Sequence, residues 1–286
     1  MLYLCRLLKQ PPRITAICRA AAFSPNAAER DRAILEAVCR ELAEEGLPVS
    51  RCVEGDEPLP PADVYVTMGR SPRLLDRLQA AEREGCLVVN SPEAVRLCGR
   101  RALLRSRLLA AAVPLAEPQL SEGGFWVKRG DAPTQQPADV VFCTDETQCQ
   151  EAVEALRRRG ISEWVVSPHV AGDLVKFYGV LNAGFFHTCY PADGSYSKFG
   201  QEALNGRSHH YDFSVRALQE AAEEAARAAG LQVYGGDAII RSDGRFCLID
   251  LNDWPSFAPC RDAAARAIAT TVCRLADSHI KEREQK

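Results

Sequence analysis

Lysine is scarce in this 286-residue sequence: of 35 basic residues only Lys9, Lys128, Lys176, Lys198, Lys281 and Lys286 are lysine, and the rest are arginine. A chain that prefers arginine keeps lysine inside an apolar, strand-like run where a compact ammonium is needed in place of a planar fork. Lys128 in FWVKRGD and Lys176 in DLVKFYGV stand in such runs. An excess of positive charge is missing as well. The net charge of -3 and the pI near 6.0 argue against nucleic acid or an anionic membrane as partner and point to small molecules. No apolar run is long enough to span a bilayer, and the opening MLYLCRLLKQPP is broken by Arg6 and Lys9, so neither a membrane span nor a signal core is expected. Cys-x-x-Cys spacing is absent although there are 12 cysteines, spread from Cys5 to Cys273. They read as reduced thiols, many in the core, and a cytoplasmic location is expected. There is no internal repeat and no low-complexity tract.

What is present is enough apolar residue, 47% against 26% charged, to bury a full core. Strand-like runs at 13–20, 48–54, 63–69 and 86–91 alternate with helical patterns at 27–45 and 72–84, which predicts a doubly wound parallel sheet. Ligands of such sheets lie beyond the carboxyl ends of the strands. That rim includes AFSPN, MGRSP and VVNSPE, with Arg70 as its expected anion contact. A helix is expected over 93–112. A strand, strand, helix, strand unit follows through FWVKRGD, DVVFCTD, residues 146–159 and EWVVSPHV. Two strands turning at Asn182 to Gly184 come next, and then a polar loop over 192–210, too long for a simple connection. A helix over 215–229 closed by Gly230, a hairpin around Asp243-Gly244, and a last helix over 262–275 ahead of a charged tail complete the reading. The fold class is α/β (α+β), with an N-terminal lobe at 12–96, a central small lobe with its linker helix at 97–171 and a C-terminal lobe at 172–280.

The stretch from Gly235 to Phe257, GGDAIIRSDGRFCLIDLNDWPSF, holds the most chemistry. Side chains alternate along a strand, so Asp250 and Asn252 share a face. A turn at Asp243 and Gly244 sets Asp237 roughly opposite Asp250. Carboxylates in a run as apolar as LIDLN are costly unless paired or metal-bound, and three hard oxygen ligands suit Mg²⁺, with Mn²⁺ as a substitute.

This stretch resembles the C-terminal signature of the ATP-grasp superfamily, in which two acidic residues and an asparagine hold magnesium against nucleotide phosphates. The resemblance extends over about residues 90 to 275, and the strand-helix alternation before it is similar to the superfamily's N-terminal substrate lobe. It implies that Lys128 contacts the phosphates of ATP. It also implies that main-chain groups near His169 and Val170 in VVSPHVAGD receive adenine, that Asp173 accepts a ribose hydroxyl, and that Lys176 approaches the phosphates or the transferred group. Lys198, Arg207 and His209 or His210 would face the acceptor. Arg101, in an Arg100-Arg101 pair, stands where relatives carry a lysine. The usual glycine-rich phosphate flap is replaced by RGDAPTQQPAD, with fewer free N–H groups, and Arg129, Thr134 or Gln135 would compensate. Pro168 replaces a polar hinge residue.

The implied activity is that of a ligase joining a carboxylate to an amine through an acyl phosphate. Two alternatives stay open. One is a small-molecule kinase of the inositol phosphate kinase type, with Arg70, Lys198, Arg207 and Arg261 as candidate acceptor cations. The other is a nucleotide-binding protein that has lost catalysis. Oligomeric state is not legible.

Overall fold

The structure is a computed structural model and describes residues 11–120, 123–132, 134–193 and 207–285. The apolar runs near the N-terminus form β1 (Ile14–Cys18), β2 (Val49–Val53), β3 (Val64–Thr67) and β4 (Leu87–Val89), all parallel, in the order β2-β1-β3-β4. β1 and β3 are central and nearly continuous in apolar character, as strands covered on both faces must be, whereas β2 at the edge is half exposed. Helices α1 (Ala28–Glu44) and α2 (Pro72–Arg83) make the crossovers.

The helix expected over 93–112 is two helices, α3 (Pro92–Gly99) and α4 (Arg101–Ala110). Arg100 between them is non-helical, at φ -108° and ψ 81°. The amide of Arg101 bonds to Gly130 O at 2.9 Å instead of continuing the helical ladder, and this turns the start of α4 toward the small lobe. That lobe has β5 (Phe125–Arg129), β6 (Val140–Cys143) and β7 (Trp164–Pro168) in antiparallel order β6-β5-β7. Its core of Val127, Cys143, Ala152, Leu156 and Ile161 is closed by α5 (Glu146–Arg158) on one face, leaving the other free.

A second antiparallel sheet has the order β11-β10-β8-β9, from β8 (Asp173–Val180), β9 (Phe185–Cys189), β10 (Val233–Ile240) and β11 (Phe246–Asp253). One face is covered by α6 (Val215–Ala229), capped by the Ser214 side chain on Ala217 N and closed by Gly230 at φ 75°, a left-handed conformation that glycine adopts at no steric cost. The small Ala222, Ala225, Ala226 and Ala229 let the helix lie close to Val175, Phe177 and Tyr234. The last helix, α7 (Arg261–Glu284), is longer than expected. The charged tail stays helical because His279 Nε2 and Arg283 Nη1 both bond Gly85 O, at 2.8 and 2.9 Å. Along its length Ala264, Ile268 and Val272 share a core with Ile34, Val38 and Leu42 of α1, so the C-terminal helix packs on the N-terminal lobe.

Candidate active site

The geometry of the site follows from register. In antiparallel sheets directly opposite residues face the same way. Cys189 of β9 is opposite Lys176 of β8, Lys176 is opposite Asp237 of β10, and Asp237 is opposite Asp250 of β11. These four side chains form one row across one face. The next row on that face is His187, Tyr178, Gly235 and Asn252. The pairing of Asp237 with Asp250 follows the expectation for this hairpin, and Lys176 Nζ lies 3.2 Å from Asp237 Oδ1. Asn252 Nδ2 donates to Asp250 Oδ2 at 3.4 Å, joining the third oxygen-bearing residue to the pair.

A bulge between Asp237 and Ala238 shifts the register, so that Ala238 pairs with Leu248 and Ile249 is left without an opposite residue. Such a bulge bends its strand and re-aims its neighbours. Lys128 of β5 uses it: its Nζ donates to Ile249 O at 3.1 Å, a contact between the small lobe and β11. Burial pushes the Lys128 ammonium below its ordinary value, Asp250 and Asp237 pull the other way, and Arg101 and Arg105 add to the depression. A cleft lies there, with Leu104, Leu115 and Leu248 on its apolar side and Arg101, Lys128 and Asp250 at its polar end. An apolar pocket with convergent charged groups suits a base at one end and phosphates at the other.

The donor set fits a hard divalent cation. Two carboxylates and an amide oxygen come from adjacent strands, all only partly buried, which leaves room for water and phosphate to complete the coordination. Among the described residues no three His, Cys, Asp or Glu side chains converge as a metal-type cluster.

Other residues singled out in the sequence are placed differently. Asp173, expected to accept a ribose hydroxyl, is 2% exposed. Its oxygens accept His209 N at 2.7 Å and Tyr211 N at 3.0 Å, with His209 Nδ1 at 3.2 Å, so it anchors the segment that follows the long loop. His210 pairs with Asp193 at 3.4 Å and lies against Tyr190. The His169 amide is committed to Gly124 O, its Nδ1 accepts from Trp126 Nε1 at 3.2 Å, and Phe142 meets its ring edge-on. Val170 is buried with Ala116, Leu174 and Ile239.

Arg101 lines the cavity, but its guanidinium donates to Arg129 O at 2.7 Å and Thr134 Oγ1 at 2.8 Å, stapling the flap. Arg129 in turn pairs with Asp131, and Asp139 accepts Gln135 N, Gln136 N and Arg159. Of the side chains expected to reach toward phosphate, that of Arg129 thus binds the flap to itself and that of Thr134 ties it to Arg101 of α4. Arg207 is exposed, and Lys198 lies outside the described residues.

Arg70 calls for a correction. Instead of offering a free rim cation, it is partly buried and forms a fork with Asp253, Nη2 to Oδ1 at 2.8 Å and Nε to Oδ2 at 3.1 Å. Sequence reasoning also overlooked the bulge at Ile249, Arg105 on the cavity wall, and Tyr178, His187 and Cys189 on the face that carries Asp237, Asp250 and Asn252. A count of strand register from the turn at Asn182 to Gly184 would have found the last three, since β9 pairs with β8 in simple alternation outward from it and sets Tyr178 with His187 and Lys176 with Cys189.

A parallel lobe followed by two antiparallel sheets, with a lysine of one sheet set against an Asp, Asp, Asn group on the other, defines the ATP-grasp fold. Solved structures bear this out. The chain is similar to the D-alanine-D-alanine ligase from Coxiella burnetii, with a TM-score of 0.67 and 13% identity over 96% of this chain and 97% of that one. It is similar to the D-alanine--D-alanine ligase from Bacillus anthracis complexed with ATP, with a TM-score of 0.65 and 10% identity over 96% and 100%. It also matches the D-cycloserine synthetase DcsG, with a TM-score of 0.62 and 17% identity over 91% and 99%. No protein-family model matches the sequence, and no curated protein matches it. At these identities the likeness establishes the fold.

Proposed function

We propose that this chain is an ATP- and magnesium-dependent ligase that joins a small carboxylate to an amine. The observation that carries the reading is the cross-strand row of Lys176, Asp237 and Asp250, with Asn252 beside it and Lys128 set against the same strand from the other sheet. Asp237, Asp250 and Asn252 would hold Mg²⁺ or Mn²⁺, which when bound neutralises phosphate charge. Lys128 and Lys176 bind phosphate oxygens as point charges. A substrate carboxylate oxygen then bonds to the terminal phosphorus of ATP as the bridging P–O bond breaks and ADP leaves. The amine attacks the resulting acyl carbon and expels phosphate. Arg101 bounds the nucleotide cleft through the flap, the hinge at His169 and Val170 flanks the base, and Arg207 and Lys198 serve the acceptor side. Exclusion of water by the small lobe protects the acyl phosphate. Residues 12–96, 97–171 and 172–280 divide the chain into substrate, small and metal-bearing lobes. Among the described residues, no helix is long and apolar enough to cross a membrane and no cysteine is in a disulfide. Both observations suit a cytoplasmic enzyme.

The pairing of Arg70 with Asp253 favours a ligase over a kinase of phosphorylated alcohols. A polyphosphate acceptor needs free cations at the rim, and this one is neutralised. Incubation with Mg-ATP and candidate acceptors, D-alanine first because two of the similar structures are named for it, should yield ADP and free phosphate, and a hydroxamate when hydroxylamine is added. ADP with a stable phosphorylated product and no free phosphate would establish the kinase, and absence of nucleotide binding by calorimetry would sink both.

A further inference from the structure

The loops at the carboxyl ends of the N-terminal strands do more than border the cleft. They grip main-chain atoms at the ends of both metal-bearing strands. Arg70 Nη2 donates to Asp253 O at 3.0 Å in addition to its fork with the Asp253 carboxylate. Arg19 donates to Trp254 O at 3.1 Å while its other nitrogens hold Asp31 at 2.8 Å and Met68 O at 2.9 Å. Asn90, fully buried, donates to Val233 O at 2.7 Å and accepts Gln232 N and Val233 N at 2.8 and 2.9 Å. The gripping residues are themselves fixed: Glu54 accepts Arg70 N at 2.8 Å and Ser71 N, and Ser24 Oγ donates to Asp31 at 2.6 Å. Val233 begins β10 two residues before Gly235, and Asp253 directly follows Asn252. Trp254, a non-glycine residue at φ 40°, sits in the left-handed region that such a residue enters only when its surroundings hold it there.

Buried ions are costly, and an interface that served only to dock two lobes could be apolar throughout. Polar groups spent on strand-end carbonyls next to ligands act on backbone position, the quantity a metal site is most sensitive to. We infer that the N-terminal lobe completes the metal site of the C-terminal lobe, with Arg70, through Asp253, as the positioning residue for Asn252. The inference rests on the metal reading above.

The test is Mn²⁺ binding followed by electron paramagnetic resonance in the presence of a non-hydrolysable ATP analogue. Two variants are compared with wild type: Arg70→Lys, which keeps the charge but loses the fork, and the double variant Arg70→Met/Asp253→Leu, which removes both charges of the pair, frees the Asp253 carbonyl from its grip and leaves Arg19 with Asp31. In the double variant Mn²⁺ should bind about tenfold more weakly, with analogue binding in the absence of metal unchanged and turnover restored by excess metal. A general loss of folding would weaken analogue binding in the absence of metal as well. A folded double variant with wild-type Mn²⁺ affinity overturns the inference; should it not fold, unchanged affinity in Arg70→Lys does so. Failure of the wild type to bind Mn²⁺ overturns the metal reading and this inference together.

Discussion

Replacing Lys176 by methionine should move metal binding and catalysis in opposite directions. Lys176 Nζ is 3.2 Å from Asp237 Oδ1, with the two side chains 18% and 23% exposed. At an effective dielectric of about 20 two unit charges 4 Å apart attract by about 4 kcal/mol, and solvent contact with the cost of ordering a lysine reduces the net coupling to about 1–2 kcal/mol. A divalent cation on Asp237 competes with that ammonium for the same carboxylate. Removing the ammonium takes away that competitor before metal arrives, so Mn²⁺ binding in the absence of nucleotide should tighten by roughly 5- to 30-fold, the factor that 1–2 kcal/mol represents. The gain should shrink as salt is added, because the pair is partly open to solvent. With ATP present the missing point charge weakens phosphate binding, and turnover should collapse. Titration of Mn²⁺ by electron paramagnetic resonance at two ionic strengths, with a coupled ADP assay, reads both effects. Unchanged or weaker Mn²⁺ binding in Lys176→Met would refute the claim that Lys176 and the metal share Asp237.

Asp250→Asn should abolish turnover with the thermal melt near wild type, since the residue is only partly buried and its partner Asn252 remains; activity within a few-fold of wild type would remove it from the site. Asp173→Ala should cost about 2–4 kcal/mol in urea unfolding, because two backbone amides lose a charged acceptor. Burial raises the Asp173 carboxyl, but the amides of His209 and Tyr211 outweigh it and hold it below its ordinary 3.8, so this stabilisation is present above that value and is lost as pH falls through the lower, folded one. The wild type should therefore lose more stability on acidification than the variant. For Lys128 the slope has the same sign but the opposite origin, a penalty on the charged form. Burial holds its ammonium below 10.5, so folding penalises the charged form, and stability rises as pH climbs through the depressed value toward 10.5. Phosphate attraction is lost in the same window, so calorimetric nucleotide affinity should fall there in wild type and persist to higher pH in Lys128→Arg.

Much of the fold was legible because local signals agreed with one another. The alternating strand and helix patterns of the N-terminal lobe, the Ser214 and Gly230 caps of α6 and the hairpin at Asp243-Gly244 depend on neighbours in sequence, and these elements lie where expected. The break at Arg100 did not show, because what ends α3 is a bond from Arg101 N to Gly130, 29 residues further along the chain by subtraction of the two numbers. The length of α7 was likewise underestimated, because its charged last turns are held by the carbonyl of Gly85.

The candidate site divides along the same line. Asp237, Asp250 and Asn252 were readable from sequence, since a two-residue alternation and a tight turn decide which side chains of a hairpin share a face. Lys128 and Lys176 stood out in an arginine-rich chain as the ammonium groups kept inside strands. Sequence could not say which cations are free. Arg70 reads as a rim anion contact until Asp253, 183 residues away, is found inside its fork, and the bonds of Arg101 to the flap are equally invisible in the sequence. Local composition therefore determined the strands, the turn and the set of metal-type oxygen donors. Only the tertiary structure decided which charges remain available, because a charge is neutralised by whatever group the fold brings within hydrogen-bonding reach, however distant in the chain.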